Sequence, residues 1–412
     1  MSRTPLEELA VRPPVPLEGK RVLLGVTGGI AAYKAADLAS MLVQTGASVT
    51  TLMTPAATRF VSAETFSALT QNRVYADVLE QWVGDFTGHI SLGQNADAFV
   101  IAPATANTIA KLALGLSDDM ISATALVTRA PMVIAPAMEH GMYHHPATQA
   151  NLELLRNRGA IIVGPDRGRL ASGEWGDGRL APMVLVAGAV RQAIAQTGGK
   201  LTGRHVVVTA GGTHEAIDPV RFIGNRSSGR MGYAVAQSLI DYGAHVTLIS
   251  GPSTLVPPVG PELIHVESAQ EMHDQVHAAI AGADAIVMTA AVADYRPAQV
   301  SEQKIKKSAG QPLMQLQLEQ NTDIIASLRD APVVRVGFAA VTNDHLINAQ
   351  AKLVSKNLDI VVVNDAVETI GSTTSQATIV TKDQEPVALP RMLKERLAIE
   401  IVDRLATLLD RR

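Results

Sequence analysis

Cysteine is absent from the 412 residues, which excludes disulfides, thiolate metal ligands and any cysteine chemistry by this chain. Aromatic residues are scarce at 3%, whereas hydrophobic residues make up 47%. A core built from Ala, Val, Ile, Leu and Gly is the palette of parallel sheets covered by closely packed helices. No apolar run approaches the roughly 18 residues that a membrane span needs. Excess charge is lacking too: the formal net charge is −4, which gives no argument for bulk nucleic-acid or membrane-surface binding. Residues 1–20 carry Glu7, Glu8, Glu18 and several prolines where a signal peptide would have an apolar core. They are read as a flexible leader on a cytoplasmic protein. Neither glycine-ended strand described below spells G-x-G-x-x-G, which counts against a dinucleotide-type site.

What is present concentrates first in residues 206–232, VVVTAGGTHEAIDPVRFIGNRSSGRMG. The β-branched run Val206 to Val208 ends in Gly211-Gly212, and the polar segment after it holds Glu215, Asp218, Arg221, Asn225, Arg226, Ser227, Ser228 and Arg230. Helical spacing follows from Tyr233 to Ile240, then a strand from Gly243 to Ile249. Strand, glycine loop, helix and strand suit a nucleotide, because glycine lets main-chain N–H groups approach an anion and a helix N-terminus carries partial positive charge. The same grammar occupies residues 21–54: strand RVLLGVT, turn Gly28-Gly29-Ile30, a helix over Ala31 to Thr45, and a strand ending at Met53-Thr54. A Thr197-Gly198-Gly199-Lys200 linker separates a first domain, residues 21–196, from a second, residues 201–412.

In the first domain, two short buried strands run into Pro103-Ala104-Thr105-Ala106-Asn107 and Pro136-Ala137-Met138. Two Ala-Pro-Ala loops at one sheet edge leave room for a flat ring where open α/β folds bind ligands. His89 is a lone histidine ahead of Asp97. His140, His144 and His145 lack the H-E-x-x-H spacing and are expected in a solvated loop. Residues 164–180 are glycine-rich and read as a surface loop or a flap over a site. In the second domain, the strand Ala285 to Met288 leads to Ala290 and Asp294, with Lys304, Lys306 and Lys307 close behind. An acid at a strand end near lysines suits a magnesium nucleotide. Asn321-Thr322-Asp323-Ile324 opens a helix, Val334 to Phe338 is a strand, and Lys352 and Lys356 share one face of the helix after it. The terminal helix is expected over Leu389 to Leu408.

These ordered motifs resemble, over almost the whole chain, the bifunctional enzymes of coenzyme A synthesis in which phosphopantothenoylcysteine decarboxylase is fused to phosphopantothenate–cysteine ligase. The carriers are TAGGTHEAIDPVRFIGNRSSGRMG, AAVADYRP with KIKK, and NTDI in the second half, and GGIAAYK, GHISL, PATAN, PAMEHGMY and GRLASGEWGDGR in the first. The resemblance implies a two-domain α/β protein: a flavodoxin-like flavoprotein with a doubly wound parallel sheet, then a Rossmann-like nucleotide-binding ligase domain. It implies FMN contacts at Gly28, Gly29, Ile30, Thr54, Thr105, Asn107 and Met138, with His89 as the catalytic histidine and the glycine-rich segment closing over substrate. FMN there draws electrons from the thiol-bearing carbon of 4′-phosphopantothenoylcysteine, which eases loss of carbon dioxide. For the ligase it implies that CTP activates the carboxylate of 4′-phosphopantothenate as an acyl-nucleotide, which cysteine's amine then opens. Ala290, Asp294, Lys304, Asp323, Ile324, Phe338, Lys352 and Lys356 would surround the nucleotide, Asp294 would face Mg2+, and Asn225 would meet the acyl carbonyl. Homo-oligomers are implied as well: trimeric flavin domains with FMN near a subunit boundary and dimeric ligase domains, together a dodecamer.

Three positions depart from the family pattern. Arg230 stands for the usual lysine, keeping charge but not donor shape. Glu139 stands for the asparagine of PAMN, and an ionised carboxylate donates no hydrogen bond; a Glu139 protonated beside a substrate carboxylate would restore a donor. Ser172 stands where the flap's acidic thiol would be, and a hydroxyl is a far weaker acid than a thiol of pKa about 8.5, so Glu174 or a water is needed as proton source. Glu139 and Ser172 support a second reading, an active ligase fused to an incomplete, enethiol-producing or non-catalytic FMN-binding module. A nicotinamide oxidoreductase is a third, disfavoured by the missing fingerprint.

Overall fold

The computed structural model describes residues 14–77, 88–306, 314–341, 345–365, 371–382 and 384–412. Residues 1–13 of the expected leader and Lys307 of the lysine cluster lie outside them. The chain divides into two compact units, one spanning Val15–Thr197 and the other including Gly198–Arg412.

The first unit is built on strands β1 (Arg21–Val26), β2 (Ser48–Met53), β3 (Val74–Tyr75), β4 (Ala98–Ala104), β5 (Met132–Pro136) and β6 (Ile161–Ile162), with an antiparallel hairpin of β7 (Asp166–Arg169) and β8 (Trp175–Arg179). The sheet order is β3-β2-β1-β4-β5-β6, all parallel. Without the two-residue edge strand β3 it is the flavodoxin order, 2-1-3-4-5. All seven residues of β4 are buried, as a parallel strand covered on both faces requires. The helix Ala106–Leu114 starts where Thr105 caps it and stops at Gly115, whose φ of +72 is left-handed. The helix expected from Ala31 opens instead as a 3-10 turn, Ile30–Lys34, before Ala35–Gln44. Packing also begins before Arg21, inside the stretch expected as leader: Leu17 is buried and its N–H donates to the Thr45 carbonyl at 2.9 Å.

The second unit contains β9 (His205–Ala210), β10 (His214–Ala216), β11 (Phe222–Gly224), β12 (His245–Ser250), β13 (Glu262–His265), β14 (Ala285–Met288), β15 (Tyr295–Pro297), β16 (Leu318–Gln320), β17 (Val334–Val341), β18 (Ile360–Asp365), β19 (Thr374–Ser375), β20 (Ala377–Thr381), β21 (Val387–Ala388) and β22 (Met392–Leu393). Its eight-stranded sheet runs β13-β12-β9-β14-β17-β18-β20-β21. The six strands from β13 to β18 are parallel and β20 and β21 join antiparallel. Counted within the sheet, those six strands again read 3-2-1-4-5-6. Alternate side chains serve two cores. Val206, Val208 and Val287 pack with the helices Arg230–Asp241 and Lys394–Leu409, whereas Val207, Ile286 and Met288 pack with Met272, Val276 and Leu353 on the other face. The terminal helix begins at Lys394, later than expected, because β22 first pairs with β19, and Pro390 cannot donate within a helix interior.

The helix Arg230–Asp241 approaches β9 so closely that a Cβ on Gly232 would lie 2.5 Å from the Ala210 Cβ and 2.5 Å from the Thr289 hydroxyl. Gly232→Ala is therefore expected to destabilise the second unit by about 1–3 kcal/mol through overpacking, measured as a lowered denaturant midpoint. An unchanged midpoint would show that the helix shifts freely.

Candidate functional sites

In the first unit, a cavity of about 410 Å³ opens where the strand order reverses, between the ends of β1 and β4. Gly28, Gly29, Ile30, Tyr33 and Lys34 line it from β1, Pro103 and Thr105 from β4, Ala137, Met138, Glu139 and Met142 from β5, and Arg169 to Ser172 with Arg179 from the hairpin. Thr27 ties the two strand ends together: its hydroxyl donates to the Pro103 carbonyl at 2.7 Å and accepts from the Thr105 N–H at 3.1 Å. Of the expected flavin contacts, Gly28, Gly29, Ile30, Thr105 and Met138 line the cavity. Thr54 lies behind it, buried, with its hydroxyl accepting the Ala57 N–H at 3.2 Å. Asn107 is exposed on the first turn of its helix, and His89 is half-buried on the helix Gly88–Asn95; neither is among the lining residues. Tyr33, Lys34, Arg169 and Arg179 were missed as site residues, although the first two belong to the GGIAAYK motif.

The glycine-rich segment is the hairpin β7–β8, clasped to the residues after β5. The Met138 N–H donates to the Gly178 carbonyl at 2.9 Å, the Asp177 N–H to His140 Nδ1 at 3.1 Å, and His144 Nε2 meets the Asp177 carboxylate at 2.9 Å. The histidines are exposed, as expected, but they lie on or cap helices and do not form a loop. His140 and His144 lie on the short helix His140–His144, and His145 caps the next helix by accepting the Ala147 N–H at 3.2 Å. Asp177 brings these two histidines within reach of a third donor, the one such trio among the described residues. Glu139 caps the short helix, and the N–H groups of Gly141 and Met142 hold its carboxyl below the usual range. In this arrangement the Glu139 side chain serves as a helix-capping acceptor, its carboxylate taking the Met142 N–H at 3.1 Å.

In the second unit, a cavity of about 540 Å³ lies at the ends of β14 and β17. It gathers Ala290, Asp294, Asp323, Ile324, Phe338, Lys352 and Lys356, seven of the eight residues expected around the nucleotide, together with Asn225, expected at the acyl carbonyl. Lys304 is exposed and not among the lining residues. Asn225 Nδ2 donates to the carbonyls of Ala291 and Val292 at 3.3 and 3.0 Å. Asn321, buried, donates from Nδ2 to the Ala293 carbonyl at 2.8 Å and from its N–H to the Asp294 carbonyl at 2.8 Å, fixing the strand-end loop. Asp323, rather than Asn321, caps the helix Ile324–Ser327. The Lys352 ammonium donates to the Phe338 carbonyl at 2.5 Å, and Lys356 pairs with Asp323 at 2.6 Å. Burial, reinforced by the charge of Lys356, pushes Lys352 below the usual lysine range even though Asp323 and Asp294 act the other way. Burial also works against the charge of Asp323, but the Lys356 ammonium and the Ala326 N–H outweigh it and keep that carboxyl low.

Gly211 and Gly212, expected to cradle phosphate, do not line this cavity. A Cβ on Gly211 would meet the Gly251 carbonyl oxygen at 2.9 Å, and one on Gly212 the Asn225 carbonyl oxygen at 3.0 Å. Glycine here lets three strand-end loops knit together, with the Ala291 N–H donating to the Gly211 carbonyl at 2.8 Å.

Residues 11–195 match the family model described as Flavoprotein, and residues 201–409 the one described as DNA/pantothenate metabolism flavoprotein C-terminal domain. Over 399 residues the chain is 44% identical to the coenzyme A biosynthesis bifunctional protein CoaBC of Bacillus subtilis (strain 168), covering 95% of this chain and 98% of that one. A crystal structure of the C-terminal domain of a coenzyme A biosynthesis bifunctional protein CoaBC is 36% identical, with TM-score 0.46, 52% of this chain and 100% of that chain covered. The FMN binding protein AtHal3 is 32% identical, with TM-score 0.38, covering 42% of this chain and 95% of that one.

The clasp rests on Gly178, whose φ is +137 and whose position leaves a Cβ only 2.2 Å from the Met138 carbonyl oxygen. Gly178→Ala is expected to free the hairpin, so that protease cleavage within residues 166–179 rises about tenfold or more as local opening becomes easier. Unchanged cleavage would mean that the clasp does not hold the hairpin.

Proposed function

This chain belongs to the family of bifunctional coenzyme A biosynthesis proteins, and from that premise we propose how its units divide the work. The unit Val15–Thr197 decarboxylates 4′-phosphopantothenoylcysteine, and the unit including Gly198–Arg412 makes it from 4′-phosphopantothenate and cysteine. The observation that carries this reading is that each unit opens its cavity at the carboxyl ends of parallel strands, one mostly apolar with small residues at its floor, the other lined by paired lysines and carboxylates.

The first cavity fits FMN. Gly28, Gly29 and Ala137 leave space for a planar ring, Ile30, Met138 and Met142 give it apolar walls, and Lys34 offers a cation to the phosphate. Bound FMN would supply the electron sink for decarboxylation. The chain's own groups do the rest: Arg169 and Arg179 neutralise an anionic substrate, the hairpin covers the site, and Glu174 or a water beside Ser172 supplies the proton that the serine hydroxyl is too weak an acid to give. Ile30, Tyr33 and Met142 remain exposed around the cavity mouth, an apolar rim of the kind that a neighbouring subunit covers. This supports the trimer reading, in which His89 of a neighbouring copy completes the site.

Lys352 and Lys356 in the second cavity, with Lys304 on the exposed loop outside its lining, spread the charge of a nucleoside triphosphate, read as CTP, and Asp294 would hold Mg2+, which would neutralise phosphate charge. The substrate carboxylate attacks the α-phosphorus and pyrophosphate leaves. Cysteine's amine then attacks the acyl carbon, beside Asn225, and the nucleoside monophosphate leaves. Val220, Phe222, Tyr295 and Leu318 are exposed on or beside the hairpins β10–β11 and β15–β16, which supports a ligase dimer; the sedimentation mass of the assembly tests both oligomer readings.

Purified protein with FMN and 4′-phosphopantothenoylcysteine is expected to give 4′-phosphopantetheine by mass spectrometry with oxidised flavin restored, and Ser172→Cys to quicken that last step. Accumulated enethiol with bleached flavin would instead favour the incomplete module. In the ligase, nucleotide phosphates restore the proton that burial disfavours on Lys352. Affinity is then complete below the free-site pKa and is lost as pH rises through it. Calorimetry in buffers of different ionisation enthalpy, run as a pH series below the ordinary lysine value of about 10.4, is expected to show proton uptake on binding that grows with pH and is abolished by Lys352→Met. Binding without uptake would refute this role.

A further inference from the structure

Asp218 and Arg221 stand out in the polar loop after β9, yet neither lines the nucleotide cavity. Asp218 is 2% exposed. Its carboxylate accepts five hydrogen bonds: from the N–H groups of Val220 and Arg221 at 2.9 Å each, from Arg221 Nε and Nη2 at 3.0 and 2.6 Å, and from the Ile305 N–H at 3.1 Å. Burial alone would raise such a carboxyl, but these donors, led by the Arg221 guanidinium, hold it well below the carboxylate range. Arg221 Nη2 also donates to the Ile305 carbonyl at 2.7 Å, and the Ser301 N–H donates to the Ile217 carbonyl at 3.0 Å. The main chain of Ile305 is therefore gripped on both sides by one ion pair, whose carboxylate is buried and whose guanidinium is exposed, and Lys304 is the residue just before it.

We infer that Asp218 is a positioning residue for ligation: with Arg221 it pins the Ile305 backbone so that Lys304 is aimed at the nucleotide's phosphates. The inference rests on the reading of Lys304 as a ligase residue. A flexible lysine on an exposed loop explores many conformers, and holding its peptide removes much of that freedom before substrate arrives. An Asn at 218 would keep the shape but turn an NH2 toward existing donors and leave Arg221 without its charge partner.

The test uses the full chain. Asp218→Asn is expected to lower ligase kcat about 100-fold while nucleotide Kd changes by less than about threefold, as for a group that acts through orientation. In a Lys304→Met background the same substitution is expected to cost nothing further. Retained nucleotide binding reports that the ligase unit is folded, and decarboxylation by the same preparations reports the same of the other unit. A wild-type kcat for Asp218→Asn, or losses that multiply with those of Lys304→Met, would overturn the inference while leaving Lys304 in place. Wild-type ligation by Lys304→Met alone would remove the reading of Lys304 and the inference with it. If Asp218→Asn unfolds its unit, Arg221→Lys, which keeps the charge and gives up the forked contact, carries the same cycle with the same outcomes.

Discussion

A parallel sheet buried on both faces has one constraint that governs everything built on it: main-chain groups inside are paired, so only the loops at strand ends are free to meet a ligand. Where neighbouring strands send their chains to opposite faces, those loops part and a crevice opens. In the second unit the split is visible in the cores: the helix after β9 packs with Val206 and Val208, whereas Ile324 and Ile325 after β14 pack with Ile286 and Met288. The first unit keeps its crevice in register through one buried hydroxyl, Thr27, shared between the two strand ends.

The two crevices use electrostatics in contrasting ways. Around the flavin-type cavity, charge is already committed to structure: Glu139 caps a helix and Asp177 joins the hairpin to His144. Around the nucleotide-type cavity, charge is held at a cost. Lys352 sits where water is largely excluded and a second lysine is near, an arrangement that an anion beside it would relieve. Asp218 is the counterpart, a buried carboxylate whose donors satisfy it so fully that it works as a fixed anchor.

Much of this was legible in the sequence, for reasons that differ by level. The strands β1, β2, β4, β5, β9, β12, β14 and β17 were readable because parallel strands are continuously apolar, whereas β3, β13, β20 and β21, at or beside the sheet edges, were not. That residues from several strand ends of the second unit line one cavity followed from motifs at those ends, since topology sends them to one edge. Contacts between distant segments were not legible. Nothing local shows that Asp177 meets His144, 33 residues away, or that Asp218 reaches Ile305, 87 residues on. The glycine pair at 211 and 212 was readable as a tight loop, but whether glycine serves a phosphate or another backbone depends on Gly251 and Asn225, which only the folded chain brings together. Glu139 was readable as a departure, and its role as a helix cap only from the N–H groups that its carboxylate meets in the fold.

The two sheets share a strand order, and each is completed within its own stretch of chain, from β1 to β6 and from β9 to β21. Similar parallel edges within one polypeptide are a hazard, because a strand of one sheet is a plausible partner for the other while both are unfinished. Synthesis at about 5–20 residues per second separates them in time: the first sheet has all its strands before β9 has left the ribosome. Vectorial production thus acts as a sorting device, and refolding the whole chain at once from denaturant removes it.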